Sequence, residues 1–349
     1  MLVRLITALV ALLLVVVPVA AAYSGEASEP GTNSAAEIDS GAVVERPGTE
    51  QPMPDSEQQG GSSLDDPTSP ERPLSPPVVE DSLAPAPGAP VSAVTAPSSM
   101  AALGDSITKG FNACGFYFDC VARSWSTGDA PEVGSHYLGL RELNPAIEGK
   151  NFNEAKSGAV AADMAGQAQR AVAQRVEYVT LLVGANDACK PTEDQMTPVQ
   201  TYSEQVRAAL TAIKSGIPDA KIFIASIPDV KRVWETSRGS FAARSAWKLG
   251  NICQSMLANP TSDAPADNER RDRVRQRVVD YNTALAQLCA EYGGNCKFDG
   301  NAVFNRDFPA QLLSNFDFFH PNEKGQAELA RITRAAGFQW SKSLDNVLA

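Results

Sequence analysis

Histidine is scarce in this chain. His136 and His320 are the only two among 349 residues, which excludes a histidine-rich metal centre and leaves few choices for any imidazole chemistry. No two of the six cysteines stand as C-x-x-C, so the spacing expected of a zinc site is missing, and neither metal nor other cofactor is expected. A basic excess is also absent: Lys plus Arg number 30 against 41 Asp plus Glu, for a formal net charge of -11. Without a basic stripe the electrostatic footprint of a nucleic-acid binder is lacking. From Tyr23 to Pro97 there is no Cys, Trp or Phe, and the only aromatic residue is Tyr23 itself. Such a stretch cannot bury enough apolar surface to offset chain entropy.

These gaps divide the chain. At the start, Arg4 precedes an uncharged apolar run from Leu5 to Ala20, and Ala20-Ala21-Ala22 suits a small-residue cleavage site. Residues 1–22 therefore read as a secretory signal peptide; retention of the same segment as a membrane anchor is the alternative. Residues 23–98, rich in Pro, Glu and Ser, read as a disordered linker that contributes no core. It carries 13 acidic residues against two arginines, whereas Met100 to Ala349 carries 28 against 27. The low isoelectric point belongs to the linker and says little about a substrate. Residues 99–349 form the expected domain.

All six cysteines lie in that domain, and an even count behind a signal peptide points to disulfides. Of fifteen possible pairings, closure entropy favours the two short loops, Cys114–Cys120 and Cys289–Cys296. Cys189–Cys253 follows by elimination.

Short apolar runs occur at Met100–Leu103, around "NFNEA" from Asn151, at "YVTLLV" from Tyr178, at "KIFIASI" from Lys221 and at "CKFDGNAVF" from Cys296. Helical segments alternate with them, starting near Ala161, Tyr202, Arg271 and Asn322; in the last, Asn322 suits a cap and Gly337 a stop. This alternation predicts parallel βαβ units and a three-layer α/β/α sandwich. The stretch from Val230 to Arg270 breaks it, with Trp234, Phe241, Trp247, Met256 and Leu257 in no clear period. Two readings stand: a cover over a substrate pocket, or core packing of extra helices.

Ser106, in "ALGDSIT", would stand where the first strand meets the edge at which open α/β sheets bind ligands. Taken alone, Asp105 and Ser106 could equally be turn and cap residues. A nucleophilic serine needs a base, an orienting group and donors for an oxyanion. His136 heads a helix-like run and reads as a surface or packing residue. His320 follows the last strand, and Asp317 precedes it by three residues, close enough to fix its tautomer. Gly158 in "KSGA" and Asn186 in "GAND" follow the second and third strands and could supply a backbone and a side-chain donor. The G-x-S-x-G elbow of α/β-hydrolases is absent.

"GDSIT", "KSGA", "GAND" and "DFFH", in this order, resemble the four sequence blocks of the SGNH subgroup of GDSL esterases and lipases. The resemblance spans Met100 to Trp340. "LLVGANDAC" and "FFHPNEKGQ" resemble its phospholipase B-like and secreted actinobacterial branches. It implies a flavodoxin-like sheet of order 2-1-3-4-5, with Ser106 as nucleophile, His320 as base and Asp317 as its orienter. The oxyanion hole would comprise the Ser106 and Gly158 N–H groups and the Asn186 side chain. The implied protein is a secreted monomeric esterase or lipase without cofactor, acting on small-molecule or lipid esters, with contact to a cell surface or membrane interface. A deacetylase or acyltransferase working on polysaccharide esters, or an inactive surface-binding module, would keep the same blocks.

Overall fold

The computed structural model describes residues 94–342. The expected signal peptide and most of the expected linker lie outside the described residues. Five parallel strands form one sheet: β1 (Met100–Gly104), β2 (Asn151–Asn153), β3 (Tyr178–Leu182), β4 (Lys221–Ile224) and β5 (Cys296–Phe298). Their order is 2-1-3-4-5, with Ala101 opposite Phe152 and Val179, and Ile222 opposite Cys296. Every residue of β1 and β3 is buried. A central parallel strand is covered on both faces, so it reads as a continuous apolar run rather than an alternating one.

Helices cover both faces. On one lie α1 (His136–Leu143) and α7 (Glu323–Ala336); on the other pack α2 (Met164–Ala173), α3 (Val199–Gly216) and α6 (Pro265–Tyr292). Successive side chains of a strand point to opposite faces. Tyr178 and Thr180 accordingly meet the α1 side, where the Tyr178 hydroxyl is 3.0 Å from His136 Nδ1 and the Thr180 hydroxyl bonds Ser126 Oγ. His136 is a packing residue. Thr333 Oγ1 lies 2.8 Å from its Nε2, Trp125 packs edge-on against its ring, and burial pushes its pKa down to about 3. The imidazole is therefore neutral at physiological pH. Asn322 caps α7 by accepting from the Gly325 N–H, and Gly337 ends it.

The sandwich is a three-layer α/β/α fold, as the alternation predicts. Two details differ from the sequence reading. The run "CKFDGNAVF" is strand only through Phe298, because the Asp299 carboxylate accepts from the N–H groups of Asn301 and Val303 and from Ser226 Oγ, turning the chain off the sheet. The second lies ahead of β1, inside the stretch read as linker. Val94–Thr95 pairs in parallel with Trp340–Ser341, Ala96 is buried, and Ser98 donates its N–H and hydroxyl to the Glu177 carboxylate.

The segment from Val230 to Arg270 packs extra helices into the core, the second of its two readings. Helices α4 (Val230–Ser237) and α5 (Phe241–Leu249) and a single turn at Gln254–Leu257 bury Trp234, Trp247, Met256 and Leu257 in the core. Phe241 is exposed, and Val230 and Val233 turn toward a cleft described below. The structure pairs Cys114 with Cys120, Cys189 with Cys253, and Cys289 with Cys296.

A chain beginning at Ser99 should unfold several degrees below one beginning at Val91, since it forfeits the terminal strand pair and the Ser98–Glu177 bonds, together worth about 1–3 kcal/mol. Thermal denaturation of the two checks this, and equal midpoints would show that these bonds add nothing to the fold.

Candidate active site

All five strands run the same way, so the turns after them gather at one sheet edge. The turn after β1 carries Ser106. It begins at Gly104, whose φ of +151° is unfavourable for other residues and where a Cβ would sit 2.3 Å from the Leu182 carbonyl oxygen. Gln167 of α2 clamps this residue. Its Oε1 accepts from the Gly104 N–H at 2.8 Å and its Nε2 donates to the Gly104 carbonyl at 3.0 Å.

Ser106 is largely buried, and its Oγ lies 2.8 Å from His320 Nε2. On the far side of the ring, His320 Nδ1 is 2.5 Å from Asp317 Oδ2. Asp317 is 1% exposed. Its Oδ1 accepts from the N–H groups of Phe319 and His320, and its Oδ2 also accepts from Asn112 Nδ2 at 2.7 Å. With four donors the carboxylate has one available orientation. The loop closes on itself through Ser314 N–H to the His320 carbonyl and Phe318 N–H to the Ser314 carbonyl. Within it Phe318 holds φ +53°, a conformation that costs a non-glycine residue about 1 kcal/mol or more. A neutral imidazole held this way, Nδ1–H toward the acid, presents Nε2 as the acceptor for the Ser106 proton.

Gly158 and Asn186 stand on the neighbouring turns, and hydrogen bonds join all three. Lys156 N–H donates to the Gly104 carbonyl, and Asn186 Nδ2 donates to the Ala159 carbonyl at 2.9 Å. That bond uses one of the two amide protons and orients the other. Gly158 holds φ +83° in the left-handed region, with open space where a Cβ would be. Neither its N–H nor that of Ser106 donates to an acceptor among the described residues. Two backbone donors and one amide proton are thus free for a ligand.

Two polar groups of the site, Asn112 and Asp187, escaped the sequence reading, and a third, Asp105, reads there only as a turn residue. Asn112, which fixes Asp317, lies 205 positions from it and has no local signal beyond being a turn residue. Asp187, beside Asn186, is buried with its oxygens accepting from the Ala161 N–H and the Thr197 hydroxyl, which ties the β3 turn to the start of α2. Burial pushes its pKa up. Asp105, next to Ser106, is fully buried; Oδ1 accepts from the Ile107 N–H, while Oδ2 finds no partner among the described residues. Desolvation raises its pKa from 3.8 to about 7.

Beside Ser106 opens an apolar cleft lined by Ile107, Ala185, Val230, Val233, Phe308 and Phe319. Ile107, Ala185 and Phe319 adjoin Ser106, Asn186 and His320 in sequence, which puts the cleft on the same sheet edge.

Asp105 gives a pH test. Between about pH 4 and 7 the folded chain keeps a proton on Asp105 that the unfolded chain has released, so this group's contribution to stability falls as pH rises through that window. Asp105→Asn is neutral throughout. Its melting temperature relative to wild type should rise by several degrees from pH 4 to pH 8, and a flat difference would show that Asp105 is ionised across the range.

Comparison with known proteins adds a family to this geometry. A search of curated proteins found no match. Among solved structures, similar ones include an extracellular lipase from Streptomyces rimosus (17% identity, 68% of this chain and 99% of that one, TM-score 0.37). A phospholipase A1 from Streptomyces albidoflavus (15%, 68% and 99%, 0.38) and a family 3 carbohydrate esterase from Clostridium thermocellum (14%, 68% and 98%, 0.40) are comparably distant. The match to a family model is the decisive one. It covers residues 102–328, from the middle of β1 into α7, and so takes in all the turns that meet at the sheet edge. On that span the chain belongs to the GDSL-like lipase/acylhydrolase family.

Proposed function

We propose that this protein is a secreted serine esterase that hydrolyses carboxylic esters, with lipid acyl esters as its substrate class. The observation that carries the reading is the hydrogen-bonded series Ser106 Oγ, His320, Asp317, with an apolar cleft lined by their sequence neighbours Ile107 and Phe319. In this reading Ser106 Oγ attacks the ester carbonyl while His320 Nε2 takes its proton, and Asp317 stabilises the imidazolium that forms. The carbonyl oxygen, now negative, accepts from the N–H groups of Ser106 and Gly158 and from Asn186 Nδ2. Collapse of the tetrahedral species expels the alcohol, which leaves with the proton from His320. A water then repeats the sequence on the acyl-enzyme and frees the acid.

The apolar side chains of the cleft, Ile107, Val230, Val233, Phe308, Leu313 and Phe319, support an acyl chain on the acid side, with Asp229, Arg232 and Arg306 also on its wall. Three disulfides support an oxidising compartment. The acidic, Pro-rich residues ahead of Val94 would then serve as a tether outside the cell.

Ser106→Ala should lower hydrolysis of p-nitrophenyl butyrate by about 10⁴-fold or more without moving the melting temperature; wild-type-like turnover would end the assignment. Asn186→Ala should cost about 10² to 10³ in kcat with little change in KM, whereas a change in KM alone would make Asn186 a binding residue. Rates across p-nitrophenyl esters of rising chain length test the substrate class. A peak at acetate with nothing beyond it would favour deacetylation.

A further inference from the structure

The loop closed by Cys114–Cys120 has an aromatic tip that the chemistry above does not use. Phe116, Tyr117 and Phe118 are 63%, 64% and 49% exposed. Three consecutive exposed aromatics leave a large apolar surface in water, which a soluble domain does not do without a use for it. The tip is fixed in place. Phe116 and Phe118 stack at 5.8 Å, the Asn112 N–H donates to the Phe118 carbonyl, and the Cys120 N–H donates to the Lys109 carbonyl.

Its position is the rim of the site. Tyr117 packs edge-on against Phe111 at 4.9 Å, and Phe111 packs in the same way against the His320 ring at 4.9 Å. On the other side the Asp119 carboxylate accepts from the hydroxyl of Ser157, the neighbour of Gly158. Phe316, 49% exposed, lies next to Asp317 and shares a shallow surface depression with Cys114, Gly115 and Lys324.

We propose that Phe116, Tyr117 and Phe118 dock the protein onto an anionic lipid surface, with the site mouth turned toward the lipid. The inference rests on the esterase reading for its substrate and on the exposed tip for its surface. Charge favours lipid as the partner: Lys156 and Lys324 are exposed on the same rim and Lys109 stands at the base of the loop, against two acids, Glu323, which pairs with Arg123, and Asp119, which accepts from the neutral Ser157 hydroxyl. Phe and Tyr side chains settle at the headgroup boundary, and neighbouring basic residues add attraction to anionic headgroups. No helix among the described residues is long and apolar enough to cross a membrane, so contact in this part of the protein is through surface side chains. The disulfide fixes the tip beforehand, which lowers the entropy lost on docking.

The test compares Ser106→Ala with the triple variant Ser106→Ala/Phe116→Ser/Phe118→Ser in the full chain, the first change keeping the vesicles intact. Co-sedimentation uses phosphatidylcholine vesicles with and without an equal share of phosphatidylglycerol. Binding should be stronger with phosphatidylglycerol and weaken with salt, and the two Phe changes should lower the partition coefficient by about tenfold or more. With Ser106 restored, Phe116→Ser/Phe118→Ser should hydrolyse soluble p-nitrophenyl butyrate at the wild-type rate and melt at the wild-type temperature. Equal vesicle binding with and without the two Phe residues would overturn the proposal. So would no binding to either vesicle, retention on an insoluble polysaccharide instead, or a concentration-dependent dimer that the Phe changes abolish. Absence of p-nitrophenyl butyrate turnover in the wild type would count against the esterase reading alone, because the vesicle measurement needs no catalysis.

Discussion

The closeness of β1 and β3 at Gly104 is the constraint on which the site depends. A Cβ there would overlap the Leu182 carbonyl oxygen at 2.3 Å and the Thr108 hydroxyl at 2.6 Å. A residue with a side chain would push apart the two central strands at the point where the Ser106 turn leaves the sheet. Because the chain has no side chain at this position, the two-pronged amide of Gln167 can hold the peptide from the α2 side. The direction of Ser106 is thus set by backbone and core, before any contact to His320 is made. Pre-organisation of this kind lets a weak nucleophile react without first ordering its surroundings.

Below that turn the protein buries two carboxyl groups, Asp105 and Asp187, whose pKa values are both raised chiefly by desolvation. Asp187 adds to the upward shift of Asp105. Asp187 offsets its burial with hydrogen bonds from Ala161 and Thr197. Asp105 has one such bond and an unpartnered oxygen, and so favours its proton. While protonated, below about pH 7, Asp105 keeps negative charge away from the place where an oxyanion would form. Two ionised carboxylates there would oppose that charge at short range in a medium that screens it poorly.

The central sheet was legible in the sequence because its strands are buried on both faces, and "YVTLL" needs no alternation to be read. Helix α7 was legible through Asn322 and Gly337, residues whose capping chemistry is local. Ser106, His320, Gly158 and Asn186 were legible together although each alone is an ordinary turn residue, because four such turns in the right order carry information that one does not. What escaped was set at long range. Asn112 meets Asp317 across 205 positions, Asp299 ends β5 by reaching Ser226, and Val94–Thr95 becomes a strand only because Trp340–Ser341 lies beside it. Local composition around Val94 argues for linker, and tertiary pairing overrides it.

The three disulfides are distributed where the sheet holds the site least. Cys189–Cys253 fixes the far end of the Asn186 turn to the segment that lines the cleft, and Ser255 reinforces it with bonds to Ala188 and Lys190. Cys289–Cys296 joins the end of α6 to the start of β5, a three-residue edge strand that alone would anchor the His320 loop weakly. Cys114–Cys120 closes the loop at the rim. The Gly158 turn, after the edge strand β2, has no covalent tie, yet it is bonded to both the Ser106 and Asn186 turns, through Lys156 to Gly104 and through Ala159 to Asn186. Disulfides at two of the turns and hydrogen bonds at the Gly158 turn together restrain the donors at the sheet edge. The conformational entropy that catalysis would otherwise spend in ordering them is removed when the chain folds and oxidises.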